Sequence, residues 1–409
     1  MQNDKHIIRE LAAQTAEIAA LPIQQETKRL WRALNALKPE RPMVILDQLP
    51  WHELNADGEL TLRCKGELAR GIENTLRQTL YKWRHTRADM VVEPYIEMPK
   101  VITGAHFGIG VQDLCAVLDP QNDVVGHSYA DQIQTEEDIQ KITMPNAQLD
   151  VQATEALEAQ TRELLCGELD VHMQGMFPNF AVWDRLSELK GVSAALMDII
   201  DRPEFVHALM SRYTEASFTL LDQLEERGLM GCNPQYIHCT GAYSDELPAE
   251  GFDPSAPRAK DNWTYGMAQM FSTVSPAMHE EFDIDYAVKW YARFGLGYYG
   301  CCEPLDRKID IIRRLPNLRK ISISPWADVE RAASSICGDY AVSRKPNPAF
   351  LATNSWDINI VTNDLNSTAD ICKRYNCPVE FILKDVSTVS YQPQRLWEWA
   401  EAAMDIAKM

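Results

Sequence analysis

Short apolar segments alternate with helical segments along most of this chain, and this alternation constrains the fold more than any other sequence feature. Apolar runs such as Met43 to Leu46 have the length and composition of buried strands. Between them lie longer segments in which apolar residues recur at helical intervals. Such alternation predicts a parallel sheet covered by helices. The number of units in 409 residues favours an α/β fold of the closed (β/α)8 TIM barrel type over an open sheet.

The predicted elements cover most of the chain. The predicted strands are 43–46, 90–96, 169–174, 235–239, 266–271, 296–301, 319–323, 339–343 and 379–384. The predicted helices are 4–37 (one or two helices), 67–85, 151–165, 181–189, 193–228 (more than one helix), 276–292, 305–315, 326–335, 357–375 and 393–407. The pattern GxGxxG follows none of these strands, which argues against a dinucleotide-binding fold.

We interpret residues 1–409 as a single barrel domain with additions. Residues 1–40 form an N-terminal helical extension, and residues 104–146 and 241–262 are predicted as long insertions at the rim, because such lengths without periodicity are typical of lids or interface arms. Barrels with long rim insertions often pair, so a homodimer is one oligomeric state that the sequence suggests.

The charge of the chain excludes some classes of partner. Lys and Arg total 40 while Asp and Glu total 59, which gives a formal net charge of −19. Such a protein repels phosphate backbones and anionic lipid, and no basic run reverses this locally. The first residues lack the apolar core of a signal peptide, and no segment has the roughly 18 apolar residues of a membrane span. We therefore expect a cytoplasmic protein without nucleic-acid or membrane partners, whose ten cysteines are mostly buried thiols.

The tract with the most unusual chemistry lies at the end of the predicted strand 296–301. In TIM barrels the active site lies at the carboxyl ends of the strands. Cys301, Cys302 and Glu303 follow one another there, and thiolates and carboxylates are zinc ligands. Side chains alternate along a strand, so Cys301 and Glu303 share a face unless a turn at Pro304 changes this. The alternative is structural: two small apolar side chains, and a carboxylate favoured at the start of a helix.

His238 ends the predicted strand 235–239 and could complete a zinc site of Cys301, Cys302, Glu303 and His238. Cys239 could take its place. A core histidine bonded to a backbone carbonyl is the alternative interpretation. The tracts are about 60 residues apart and lack CxxC spacing, so a metal site would have to be assembled by the fold.

Further polar and aromatic residues are expected at the same rim. Glu97 and His238 are the candidate catalytic residues, because a carboxylate or an imidazole at a strand end can transfer protons. The candidate substrate-binding residues are Trp51, His52, Gln174, Tyr298, Lys384 and Asp385. The alternatives are a surface carboxylate for Glu97, a packed ring for Trp51 and a rim ion pair for Lys384 and Asp385.

Several short motifs occur in a familiar order. Residues 169–181 (LDVHMQGMFPNFA) precede 197–206 (MDIIDRPEFV), which contains a D-x-P-E-x-V pattern. Residues 271–282 form a helix led by Ser-Pro, and residues 381–386 (FILKDV) occupy the place of a last barrel strand. This order resembles the uroporphyrinogen decarboxylase superfamily over roughly residues 165–409.

The resemblance implies one of two kinds of enzyme. Decarboxylases of that superfamily carry an R-x-A-G-R loop after the first strand to bind substrate carboxylates, whereas residues 49–53 here read LPWHE. The methyltransferase branch uses zinc and a corrinoid, and carries H-x-C-G with a further cysteine on the last strand. Cys301 matches the cysteine of that motif, Tyr299 replaces its histidine, and Lys384 and Asp385 stand where the further cysteine would be.

The sequence thus leads to one main hypothesis and two alternatives. The main one is a zinc-dependent methyltransferase that moves a methyl group between a small methylated compound, such as an aryl methyl ether, and the corrinoid (cobalamin) of a partner protein. The first alternative is a metal-free decarboxylase or lyase acting on a small carboxylate. The second is a barrel without catalysis that serves as a binding subunit.

Overall fold

The structure is a computed structural model that describes residues 2–115 and 126–409. Part of the predicted insertion 104–146, residues 116–125, lies outside the described residues. The helices are α1 (Gln2–Ala19), α2 (Pro22–Asn35), α3 (Trp51–Leu54), α4 (Glu67–His85), α5 (Val151–Leu165), α6 (Val182–Lys190), α7 (Val192–Asp201), α8 (Pro203–Glu226), α9 (Pro276–His279), α10 (Asp285–Tyr291), α11 (Ile309–Ile312), α12 (Val329–Ile336), α13 (Ile358–Arg374) and α14 (Gln394–Lys408).

The strands are short. They are β1 (Met43–Leu46), β2 (Tyr95–Pro99), β3 (Ile102–Thr103), β4 (Gln148–Leu149), β5 (Asp170–Gln174), β6 (Tyr236–Ile237), β7 (Thr240–Gly241), β8 (Trp263–Gly266), β9 (Leu296–Tyr299), β10 (Leu318–Ile323), β11 (Ala341–Arg344) and β12 (Val379–Leu383). Short 3₁₀ helices cover Asp138–Lys141, Ala259–Asp261, Gln269–Thr273 and Pro348–Ala352, and a π-helical turn, Glu280–Ile284, joins α9 to α10.

Six of these strands form one parallel sheet, in the order β1-β12-β11-β10-β9-β8. Strands β1, β9, β11 and β12 are buried at every position, which explains the continuous apolar sequence of β1. Ser343 and Arg344 of β11 and Glu380 of β12 are buried as well. Helices connect successive strands of the sheet and cover it. This arrangement confirms the predicted α/β class with a parallel sheet.

The predicted closed barrel is not found among the described residues. Strands β2 and β5 form a separate parallel pair. Among the described residues, two isolated parallel bridges follow β5: Met176 with Met230, which lies outside the main sheet, and Phe180 with Gly266 of β8. Regular pairing stops at Gly175, where a Cβ atom would lie 2.2 Å from the carbonyl oxygen of Leu229. The segment around Met230 lies just beyond the end of β5, where Met176 N donates to the Leu229 oxygen at 2.9 Å and Gly231 N donates to the Met176 oxygen at 2.8 Å, but no regular strand forms there. The division of the chain into one domain, an extension and insertions stays a prediction.

Two predicted strands differ from the structure near the site. Residues 235–239 form no barrel strand; β6 and β7 are the two arms of an antiparallel hairpin. The predicted strand 266–271 ends at Gly266, and the residues after it wind into the 3₁₀ helix Gln269–Thr273. Both segments are apolar and short, and apolar character alone does not distinguish a sheet strand from a hairpin or a helical turn.

The N-terminal helices pack against the rest of the chain through apolar faces. Ile8 and Leu11 of α1 form a cluster with Leu76 of α4 and Leu165 of α5. Trp31 of α2 is almost fully buried, and its Nε1 donates a hydrogen bond of 2.9 Å to the backbone oxygen of Asp89. Within the described residues, no helix combines the length and the apolar character that a membrane crossing requires.

Candidate active site

A cavity of about 760 Å³ opens between α4 and the carboxyl ends of the first strands. Its volume is typical of a site for a small molecule. Three of the residues predicted from the sequence line it: Trp51, Glu97 and His238. Other lining side chains escaped the sequence analysis, namely Asp47, Lys82, Tyr95, Phe177, Gln235, Tyr236 and Tyr265.

His238 reaches the cavity because it occupies a tight turn. Ile237 pairs with Thr240, so His238 and Cys239 are the two residues of the hairpin turn between β6 and β7. The backbone of His238 has φ = 52°, a left-handed conformation that histidine adopts more readily than most residues. Asn35 of α2 anchors the hairpin, since its Nδ2 donates to the backbone oxygen of Gly241 at 3.0 Å.

Cys301 lies in a second sharp turn, directly after β9. Gly300 has φ = 95°, which a side chain would disfavour, and a Cβ atom there would lie 2.4 Å from Leu305 Cδ1. Ser322 Oγ of β10 donates a hydrogen bond of 2.7 Å to the Cys301 backbone oxygen. These contacts hold the Cys301 side chain, which is only 2% exposed, behind His238.

Three potential hydrogen-bond donors surround the Cys301 sulfur. Lys384 Nζ lies 3.1 Å from Sγ, His238 Nε2 lies 3.3 Å from it and Cys302 Sγ lies 3.5 Å from it. Asp385 Oδ2 in turn lies 3.5 Å from Cys302 Sγ and 3.5 Å from Lys384 Nζ. The fold thus brings together the 301–302 corner, the hairpin turn and the end of β12.

These contacts make the Cys301 sulfur a thiolate. The hydrogen bond from Cys302, together with His238 and the charge of Lys384, lowers the pKa of the Cys301 thiol to about 3 against the effect of burial. Burial alone would lower the pKa of His238, but hydrogen bonds and charge from Cys239 and Cys301 outweigh it and raise that pKa to about 9. The hydrogen bond to Cys301 raises the pKa of the Cys302 thiol, which therefore stays neutral. The result is an imidazolium and thiolate pair beside the cavity.

Glu303 is the clearest departure from the predicted ligand set. Its carboxylate is fully buried and accepts hydrogen bonds from the backbone nitrogens of Cys301 at 3.0 Å and Ala268 at 3.1 Å. It therefore fixes the turn after β9, and both of its oxygens are engaged with backbone amides. The alternation rule that placed Glu303 beside Cys301 does not apply, because β9 ends at Tyr299.

The structure places the predicted substrate-binding residues in several different environments. Gln174 does not line the cavity but contacts a residue that does, since its Nε2 donates a hydrogen bond to Glu97 Oε1 at 3.0 Å. Tyr298 is fully buried and accepts a hydrogen bond of 2.5 Å from Lys345, so it lies inside the protein away from the cavity wall. His52 lies 3.7 Å from Glu53 Oε1 and its ring contacts Tyr391 edge-on. Lys384 and Asp385 contact the cysteines and do not line the cavity.

The donor set was compared with what zinc requires. A zinc site needs three or four donors about 2.0–2.3 Å from one ion. Within residues 2–115 and 126–409, no group of three or more His, Cys, Asp and Glu side chains is arranged to hold a metal ion. Lys384 instead supplies a positive charge 3.1 Å from the Cys301 sulfur, where a ligand set would place the cation. This arrangement does not fit zinc, and the zinc site of Cys301, Cys302, Glu303 and His238 stays a prediction.

Asp184 is a partly buried acid near this cluster that sequence analysis missed. Burial raises its pKa from 3.8 to about 7, although Gln269 Nε2 donates to its Oδ2 at 2.6 Å. The folded protein therefore retains a proton that the unfolded chain releases, so stability falls as pH rises from about 4 to 7, by at most about 1.4 kcal/mol per pH unit.

We expect Asp184→Asn to flatten the pH dependence of stability. Below about pH 4 the variant and the wild type should be equally stable, and at about pH 8 the variant should be the more stable. Urea unfolding over this range measures the difference, with exposed Asp370→Asn as the control for removing a carboxylate. An unchanged slope in Asp184→Asn would show that Asp184 is already ionised in the folded protein.

No protein-family model matches the sequence, and a search of curated proteins finds no match. Among solved structures, the chain is similar to a methyltransferase from Methanosarcina mazei, at 12% sequence identity and a TM-score of 0.49. The similarity covers 92% of this chain and 97% of that chain.

Proposed function

We propose that the chain is a methyltransferase that removes a methyl group from a small methylated compound bound in the cavity. One observation carries the proposal: His238 lies on the cavity wall and, at the same time, 3.3 Å from the sulfur of Cys301. The order of sequence motifs, which resembles that of the uroporphyrinogen decarboxylase superfamily, supports methyl transfer as the reaction.

His238 serves as the proton donor in this reaction. When the bond between the methyl carbon and its heteroatom breaks, the electron pair of that bond stays on the heteroatom. Because Nε2 of His238 faces the Cys301 sulfur at 3.3 Å, the proton donated to that pair comes from Nδ1 of the imidazolium. The protonated departing group is a poor nucleophile for the reverse reaction. The corrinoid of a partner protein would supply the nucleophile that accepts the methyl group.

Cys301 and Lys384 keep His238 protonated and oriented for proton donation. The negative sulfur stabilises the charged imidazole and orients its ring, in the way that a carboxylate orients a catalytic histidine. The ammonium of Lys384, at 3.1 Å, keeps Cys301 ionised, and the neutral thiol of Cys302 lies close to the same sulfur. Neither cysteine lines the cavity. We therefore assign them the positioning of His238 and no contact with substrate.

The test is a methyl-transfer assay with cob(I)alamin as the acceptor and methyl ethers, methylammonium compounds and methyl sulfides as donors. We expect His238→Gln to lower the rate with an active donor by about a hundredfold, since a positioned acid contributes on that order. His6→Gln, at an exposed position of α1, is the matched control and should retain the wild-type rate. A His238→Gln variant with the wild-type rate would contradict the assignment.

Two further measurements on the same samples distinguish the alternatives. Elemental analysis that finds one zinc per wild-type chain, lost in His238→Gln, would make His238 a metal ligand instead of an acid. Carbon dioxide release from a small carboxylate, without any corrinoid, would replace methyl transfer by the lyase reaction.

A further inference from the structure

The cavity beside His238 combines aromatic rings with carboxylates, a pairing that selects ligands by charge as well as by shape. We propose that it binds a methylated cation, such as a quaternary ammonium group. That this cation is the methyl donor rests on the proposed function. That the cavity binds such a cation rests on the residues of the cavity alone.

The cavity wall presents electron-rich rings. The lining aromatic residues are Trp51, Tyr95, Phe177, Tyr236 and Tyr265. The face of an aromatic ring carries partial negative charge and attracts a cation placed over it. Tryptophan and tyrosine are the strongest of these attractors, and they make up four of the five rings.

Neighbouring rings hold three of the lining rings in fixed orientations. The ring centroids of Tyr95 and His172 are 3.8 Å apart in a stacked arrangement. Tyr265 stacks on His238 at 5.2 Å, and Trp51 meets Tyr81 edge-on at 6.0 Å. Rings that are already ordered lose little conformational entropy when a ligand binds, so the wall is preorganised.

Of the described carboxylates that line the cavity, Glu97 is the one that can interact with a charged ligand. Glu93 forms an ion pair of 2.6 Å with Lys28 and accepts a hydrogen bond of 2.9 Å from Tyr243. Asp47 and Lys82 have opposite charges and line the cavity together. Glu97 forms no ion pair within the described residues, and Gln174 Nε2 is a neutral donor to its Oε1. The imidazolium of His238 on the same wall is compensated by the Cys301 thiolate 3.3 Å away. The negative charge of Glu97 is therefore available to a cation in the cavity.

The aromatic character of the wall indicates a methylated ammonium and not a primary one. A primary ammonium is strongly hydrated and needs three hydrogen-bond acceptors to replace its water. A quaternary ammonium cation has no N–H bond to donate and loses its weaker hydration readily, so ring faces with a carboxylate nearby are the environment that suits it. The volume of about 760 Å³ also leaves room for a substituent beyond the cationic group.

The test is calorimetric titration of the full chain with choline and with its uncharged isostere, in which a tert-butyl group replaces the trimethylammonium group. We expect choline to bind at least tenfold more tightly than the isostere. Glu97→Gln and Trp51→Leu should each weaken choline binding by about tenfold, because they remove the charge and a ring face. Trp326→Leu, at a tryptophan that is 70% exposed and outside the cavity, is the matched control and should bind choline as the wild type does.

Equal affinity for choline and the isostere, or no choline binding at millimolar concentration, would overturn the inference. Circular dichroism of each variant establishes that it is folded. The titration contains no methyl acceptor and does not depend on proton donation by His238. Failure of methyl transfer with intact choline binding would therefore contradict the proposed function alone.

Discussion

Replacement of Cys301 by serine should lower the rate of methyl transfer by up to about a hundredfold, the loss expected for removal of His238 itself, because Cys301 acts through His238. A serine hydroxyl stays neutral at pH 7, so the variant lacks the charge of Cys301, which together with Cys239 raises the pKa of His238. KM for the methyl donor should change little, since Cys301 does not line the cavity. The measurement is kcat and KM in the methyl-transfer assay, over a range of pH.

The pH profile distinguishes this role from a structural one. His238 must carry a proton to donate it, so the wild-type rate should fall as pH rises through about 9, the raised pKa of His238. In Cys301→Ser the fall should occur closer to 6.5, the ordinary value for histidine. Cys372→Ser is the matched control, because Cys372 is a fully buried thiol in α13, away from the site. If the Cys301→Ser profile keeps its position, Cys301 does not act through His238.

Lys320→Met should lower the free energy of unfolding by about 3–5 kcal/mol, which is the usual effect of breaking a buried ion pair. Lys320 Nζ lies 2.9 Å from Glu380 Oε2, and neither side chain has any exposed surface. Thr240 Oγ1 donates to the same carboxylate oxygen at 2.7 Å. Without Lys320, the carboxylate of Glu380 would be buried without a compensating charge.

Two further variants distinguish the effect of leaving Glu380 without its partner from the effect of removing a charge as such. The double variant Lys320→Met with Glu380→Leu should recover most of the lost stability, because it leaves no buried charge. Arg374→Met, which breaks an exposed pair with Glu330, should cost about 0–1 kcal/mol. Urea unfolding measures all of them. A double variant as unstable as Lys320→Met would show that packing, and not the unpaired carboxylate, explains the loss.

Much of the fold could be predicted because the strands and helices have distinct apolar patterns. Segments 43–46 and 67–85 form β1 and α4 with the predicted bounds, and 379–384 is within one residue of β12. The hairpin at His238 was predicted as a sheet strand, because a segment as short as 235–239 (QYIHC) has the same local pattern in either setting. Closure into a barrel depends on pairing between distant segments, such as 229–231 against β5, and no local pattern reports it.

Part of the candidate site could also be predicted, because the ends of the apolar segments can be located in the sequence. Cys301 and His238 were selected because both lie at the end of a predicted strand, and the structure places His238 Nε2 3.3 Å from Cys301 Sγ. Asp47 follows β1 and could have been found by the same argument. Lys82 could not, because it is one of several basic residues near the end of α4 and only packing directs it into the cavity.

The sequence by itself determined the α/β class and the order of strands and helices, because alternation of apolar segments is local information. It also singled out the cysteine and histidine tracts, through residue type and position at segment ends. Tertiary structure alone decided which partner each charged group received. Glu303 accepts hydrogen bonds from two backbone amides, the Cys301 sulfur contacts the ammonium of Lys384, and Lys320 pairs with the carboxylate of Glu380. A charge can be buried only beside a compensating partner, and distant strands supply those partners through their register in the sheet.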